Sequence, residues 1–190
     1  METNNHLDKT FEKISFSKKD LKNRTFENCI FNNCDFSDTN LSANNFMECS
    51  FSGCNMAMVK LNKTKLTDTI FKDCKLIGIN FFECNDFMFS VSFENCILDY
   101  ASFAAKKMPK TKFKDCSLKE VNFAASDISG SAFLNCNLER AVFNDTQLKN
   151  TDFRSAFNYV IDPEINFIKK AKFSKDGLQG LLSKYELTIE

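Results

Sequence analysis

CIFNNCDFSDTNLSANNFMECSFSGC, residues 29–54, sets the rhythm of the whole chain. A large apolar residue stands at every fifth position: Phe31, Phe36, Leu41, Phe46 and Phe51. Two residues before each comes a small or short one: Cys29, Cys34, Thr39, Asn44 and Cys49. The positions between are mostly Asn, Asp, Ser and Glu. A period of five fits neither a helix at 3.6 nor a strand at 2. It fits a chain that turns a corner every five residues. The large side chain fills the middle of each face from inside, and the small one points inward near the corner, where space is tight. Four such faces close a coil of 20 residues, and successive coils pair in parallel at roughly 4.8 Å.

Working outward, the same beat runs from Phe11 to Phe81, slips by two residues, and resumes from Phe93 to Phe153. Reading every 20 residues, and stepping 22 across the slip, gives Phe11, Phe31, Phe51, Phe71, Phe93, Phe113, Phe133 and Phe153, then Phe173. A second column is Leu21, Leu41, Leu61, Phe81, Phe103, Phe123 and Phe143. A third is Phe16, Phe36, Met56, Leu76, Leu98, Leu118 and Leu138. Like stacks on like, as rings and aliphatic side chains do when identical shapes interdigitate at strand spacing. Cys34, Cys54, Cys74, Cys96, Cys116 and Cys136 form one inward row across the slip. A straight row of neutral thiols fills a narrow internal space. It does not converge as a metal site would.

Segments such as CDFSD (34–38), TNLSA (39–43), CSLKE (116–120), VNFAA (121–125), CNLER (136–140) and TDFRS (151–155) match the motif A(D/N)LXX. Over about residues 9–155 the chain resembles the pentapeptide-repeat family, with Cys and Thr where that family often has Ala. The resemblance implies a right-handed quadrilateral parallel β-helix. The expected division is a polar N-terminal cap over 1–10, the β-helix over 11–155, and an irregular last coil, short helix and tail over 156–190. Ser174 is placed to cap a helix over about 175–184, with Leu178, Leu181, Leu182 and Tyr185 on its apolar side as cap or dimer contacts. The closing ELTIE is read as a short strand.

Composition narrows the function. Lys+Arg and Asp+Glu are 25 each, which argues against a basic nucleic-acid surface and against a uniformly acidic one. There is one His, so His clusters and His-centred triads are excluded. No Gly-rich phosphate loop or nucleophile elbow is present. Five Gly and two Pro are few for an enzyme built on catalytic loops. No apolar run reaches membrane-spanning length. Nine Cys with no secretory signal read as reduced thiols in the cytoplasm. The expectation is a non-enzyme with no catalytic, cofactor or metal residues.

The pattern breaks on the fourth column: Phe26, Phe46 and Leu66, then Met108, Ile128 and Leu148. Between them CNDFMFSVS (84–92) holds the two extra residues. Phe82, Phe87, Met88 and Phe89 crowd there and cannot all point inward. Lys106 stands where other coils place a small residue, and Lys106, Lys107, Lys110 and Lys112 cluster around Pro109. Ala104, Ala105, Ala124 and Ala125 form a smooth outer strip near Met58, Ile77 and Tyr100. The candidate partner-binding residues are therefore Phe82, Phe87, Phe89, Tyr100, Lys106 and Lys107.

A stiff rod without a cleft favours recognition of a macromolecule, so the primary expectation is a scaffold or protein-binding module. A purely structural rod is a further alternative. The family resemblance adds another: members that resemble duplex DNA in width and charge bind DNA gyrase and protect it from quinolones. This chain is similar to them in length and Phe-rich coils. It departs from them in its zero net charge and in an insertion far shorter than their projecting loops.

Overall fold

The computed structural model describes residues 4–188. It is a right-handed parallel β-solenoid ending in a short helix. The faces are named here for the large residue each carries near the N-terminal end: Phe11, Phe16, Leu21 and Phe26. On the Phe11 face seven short strands form one parallel sheet, pairing Phe11 with Phe31, Phe31 with Phe51, and Phe51 with Phe71. The register steps from Phe71 to Phe93, then on to Phe113 and Phe133. The two extra residues thus leave this sheet in phase. The Phe16 and Leu21 faces pair through isolated parallel bridges such as Asp35 with Asn55 and Asn40 with Lys60. The Phe26 face is a four-stranded sheet up to Lys65–Thr67, and beyond the insertion it reduces to bridges.

Nearly every corner uses a residue in the left-handed region, which L side chains ordinarily avoid. Asp38 (φ 55°), Glu48 (φ 51°), Met58 (φ 58°) and Tyr100 (φ 62°) all adopt it, and glycine serves at few corners. The low glycine count therefore does not mean few turns. The Asp or Asn of the motif explains part of this tolerance. Its side-chain oxygen accepts the N–H two residues on, as Asp35 does from Ser37 at 3.0 Å and Asn40 from Ser42 at 3.1 Å.

Inside, rings of one column stack and rings of adjacent faces meet edge-on. Phe31 lies over Phe51 at 4.6 Å and 7°, and Phe113 over Phe133 at 4.8 Å and 4°. Phe31 meets Phe46 at 6.2 Å and 74°. Both arrangements suit the ring quadrupole. The preference for Cys and Thr over Ala has a local cause: many of them donate to a carbonyl of the preceding coil. Cys54 donates to Phe31 O at 3.3 Å, Cys96 to Phe71 O at 3.4 Å, and Thr64 to Leu41 O at 2.8 Å. All nine cysteines are buried and free.

The coil extends into the segment expected to be a polar cap. Asn5–Leu7 pairs with Thr25–Glu27, and the His6 ring stacks on Phe26 at 4.7 Å. At the other end Phe173 continues the Phe column, 5.4 Å from Phe153. Ser174 Oγ accepts the Gly177 N–H at 3.1 Å and starts a helical stretch from Asp176 to Tyr185. A Cβ at Gly177 or Gly180 would collide with Tyr159, so these glycines let the helix close on the last coil. Glu186–Thr188 forms no strand, and the last two residues of ELTIE lie outside the described residues.

Candidate protein-docking surfaces

The insertion has a definite internal logic. Cys84–Met88 is still a pentad in register: Cys84 is buried, Asn85 accepts the Phe87 N–H at 2.8 Å, and Met88 takes the corner conformation at φ 55°. Asp86 occupies its centre, where every neighbouring coil of this face has a core residue. Its carboxylate turns outward, 74% exposed. Phe89, the first extra residue, folds inward to occupy the vacated core. Lys106, one coil on, enters from a small-residue position and is 1% exposed. Its Nζ donates to Cys84 O and to Asp86 Oδ1, both at 2.7 Å, and lies 5.1 Å from the Phe89 ring centre. The buried charge is thus paired, hydrogen-bonded and set against an aromatic ring, as burial of an ammonium requires. Burial pushes the Cys84 thiol up to about 12 despite the lysine beside it.

Two candidate contacts are corrected by this arrangement. Phe89 is core, because Asp86 left a hole for it, and Lys106 is core, because it neutralises Asp86 and caps Cys84 O. Neither presents a side chain to a partner. Phe82, Phe87, Tyr100 and Lys107 are exposed, Phe87 the most of the three aromatic rings at 68%. They do not form one patch. Phe82 sits on the Leu21 face, Tyr100 at the corner between the Phe16 and Leu21 faces, and Phe87 and Lys107 on the Phe26 face. The reciprocal exchange of Asp86 and Lys106 escaped the sequence reading. Its signal was an acidic residue at a pentad centre facing a lysine at an inward place one coil later.

Across the Phe16–Leu21 corner, at the level of Met58 to Tyr100, lies a short apolar patch bordered by Asp38, Lys60, Asp99 and Glu120. Met58 and Tyr100 are exposed there, and Met58 lies over Gly78 so closely that a Cβ on the glycine would meet its sulfur. Phe82 and the outer alanines 104, 105, 124 and 125 continue it onto the Leu21 face. The carboxylates of the Phe16 face form no continuous negative stripe. Glu139 pairs with Lys119 at 3.4 Å and Glu120 with Arg140 at 3.7 Å. Asp99 accepts the Ser117 hydroxyl at 2.6 Å and the Lys119 N–H at 3.0 Å.

At the C-terminal end a groove of about 760 Å³ runs between the last coil and the helix, over Tyr159, Gly177 and Gly180. Leu181 packs on the core, while Leu178 and Tyr185 are exposed and Leu182 is half-buried. Tyr185 donates to Glu164 at 2.7 Å, and Lys184 bridges Asp162 and Glu164 at 2.9 and 2.6 Å. These contacts fasten the helix to its own coil. Among the described residues no three His, Cys, Asp or Glu side chains group as a metal site. No helix among them is long and apolar enough to cross a membrane.

A family model described as "Pentapeptide repeat region" matches residues 24–85 and 87–156. The chain belongs to the pentapeptide-repeat family. The match breaks at Asp86, the one pentad centre that is charged. Among solved structures this pentapeptide-repeat protein is similar to full-length QnrB1, a plasmid-mediated fluoroquinolone resistance protein. Identity is 17% and TM-score 0.58, covering 96% of this chain and 100% of that one. A trypsin-treated QnrB1 variant gives 19%, 0.56, 95% and 98%. HetL of Nostoc sp. strain PCC 7120, involved in heterocyst differentiation regulation, gives 15% and 0.41 over 91% and 90%. No curated protein matches. The family is non-catalytic.

Proposed function

We propose that this pentapeptide-repeat protein binds a type II topoisomerase, DNA gyrase in the first instance, and modulates its response to quinolones. The observation that carries the reading is a stiff, full-length coil presenting a small exposed apolar patch, with Met58, Phe82 and Tyr100 held at fixed spacing. Such a surface loses little conformational freedom on docking, which favours a protein partner. The choice of partner is supported by the likeness in fold and length to QnrB1, a fluoroquinolone resistance protein. Contact through apolar side chains and shape suits this surface better than imitation of DNA charge, because the carboxylates of the Phe16 face alternate with Lys119 and Arg140.

The test is gyrase supercoiling with and without ciprofloxacin across a titration of the protein, alongside direct binding. Binding with a shifted ciprofloxacin response is the expected result. Tyr100→Glu combined with Phe82→Glu should weaken it at least about tenfold, as for loss of two aromatic contacts, while leaving stability within about 0.5 kcal/mol. Absence of binding, inhibition and protection at micromolar protein would remove topoisomerase as the partner. Recovery of a different stoichiometric partner from native cytosol, lost in the same double variant, would keep the surface and change its occupant.

A further inference from the structure

We infer that the Phe26 face is a contact between two copies of this chain, packed antiparallel about a twofold axis at the level of Phe87 and Met88. The face is electrically divided at that level. Towards the N-terminus its exposed positions hold Asp8, Glu27, Glu48 and Asp68, with one lysine, Lys65. Towards the C-terminus they hold Lys107, Lys110, Lys149, Lys169 and Lys170, with one half-buried carboxylate, Asp127. Among the described residues none of these carboxylates has an ion-pair partner, and none of these lysines has one. Other faces differ: there Lys114 pairs with Glu94 at 2.7 Å and Lys119 with Glu139 at 3.4 Å across neighbouring coils. Apart from Lys65 and Asp127, opposite charges on the Phe26 face are gathered in different halves of the rod, too far apart to pair within one chain.

A second copy can. A twofold axis lying in the face and across the rod sends each coil above Phe87 to the coil equally far below it, and keeps every outward column on itself. The repeat of 20, with 22 across the insertion, then fixes which residues meet. Asp68 faces Lys110, one coil from the axis. Glu27 faces Lys149, three coils away, and Asp8 faces Lys170, four coils away. By symmetry each pairing occurs twice. Spacings of roughly 5, 14 and 19 Å from the axis follow from the strand repeat. On the axis Phe87 and Met88, 68% and 61% exposed, meet their own copies and bury apolar surface. Against it stand Lys65 with Lys107, which also occurs twice, and the outward Asp86 carboxylate, which meets its own copy on the axis but is already paired with Lys106. A parallel pairing would instead set acid against acid along one half and base against base along the other. A uniformly charged partner would match one half and oppose the other.

The contact is narrow, one solenoid face, so its area falls at the low end for stable interfaces and its attraction is largely electrostatic. The association should be micromolar and salt-sensitive. Sedimentation velocity of the full chain tests it. Dimer is expected at about 50 mM salt and its loss at about 500 mM, where the Debye length falls to a few ångström. Glu27→Lys and Lys149→Glu each set two like-charge pairs in the homodimer and should each weaken it about tenfold. An equimolar mixture of the two variants restores both opposite pairs in a heterodimer and should recover the wild-type constant. A chain that stays monomeric at about 100 μM in low salt overturns the proposal, since charge pairing is strongest there. So does a dimer indifferent to salt and to Glu27→Lys, which would put the contact elsewhere, as at the exposed Leu178 and Tyr185. This surface is separate from Tyr100 and Phe82, so loss of dimer and loss of topoisomerase binding are read independently.

Discussion

The Phe11 and Phe26 faces meet the same two extra residues and answer them differently. On the Phe11 face the column never skips: Phe71 stacks on Phe93 at 5.4 Å and 11°, much like any other pair. On the Phe26 face the sheet ends, an aspartate stands at the centre of a pentad, and a buried lysine with a returning phenylalanine takes up the space. The difference teaches where a solenoid can absorb an irregularity. A column of identical stacked rings tolerates none, because each ring is part of its neighbours' packing. A column that already mixes Phe, Leu, Met and Ile can admit polar groups, provided they satisfy one another.

The sharpest way to break the comparison is to hollow out the regular face. Phe93 lies between Phe71 and Phe113 and meets Phe81 and Phe103 edge-on. Phe93→Ala should cost about 3–5 kcal/mol, read as a fall in the urea midpoint. A loss below about 1 kcal/mol would mean that the column collapses around the gap and is not the rigid element.

Alkali probes the two faces through their thiols. Burial raises Cys49, beside the Phe11 face, to about 11, and Cys84, beside the insertion, to about 12. Both are raised in the folded chain, so their contribution is fully present below the unfolded thiol range. It is lost as pH rises towards the folded values, because the unfolded chain ionises first. Stability should hold to about pH 8 and fall by about 2 kcal/mol per thiol at about pH 11. Thermal melts across that range measure it. A flat profile to about pH 11 would show that these thiols are not held neutral by the fold. Native-state resistance to thiol reagents, with all nine reacting after denaturation, is the companion measurement.

The smallest effects separate Asp86 from Lys106. Asp86→Ala leaves a buried ammonium with only the Cys84 carbonyl and should cost about 2 kcal/mol. Lys106→Met leaves a carboxylate that already faces water, and a side chain of similar shape fills the place, so the cost should stay below about 1.5 kcal/mol. Joining the two changes should be milder than their sum. Equal losses in all three variants, by denaturant unfolding, would show that the ion pair is incidental.

Much of this architecture was legible before any coordinates. The Phe column predicted every pairing of the large sheet, including the step from Phe71 to Phe93, because a five-residue beat leaves few ways to close a coil. The corners were less legible. Residues as different as Asp38, Met58 and Tyr100 take the same left-handed backbone, so identity at that position carries little signal. Exposure at the insertion was the hardest to read. Four large apolar side chains compete for one core space, and the winner, Phe89, is settled by Asp86 and Lys106, which lie apart in the chain. The apolar corner patch could be assembled from the sequence only by stacking columns, since Met58, Phe82 and Tyr100 are distant in order and lie within two coils of one another in register.

The backbone bonds between coils, such as Lys60 N–H to Thr39 O at 3.0 Å and Asn122 N–H to Ala101 O at 3.0 Å, all point along the rod. That orientation has a mechanical consequence. In a sheet pulled along its strands many bonds share a load in shear. Here tension between the two ends opens the bonds of one coil at a time, like a zip. Each step would release a coil of 20 residues, about 70 Å of extended chain. The protein is therefore stiff against compression and bending by a partner, yet yields in small equal increments to an unfoldase that grips a terminus.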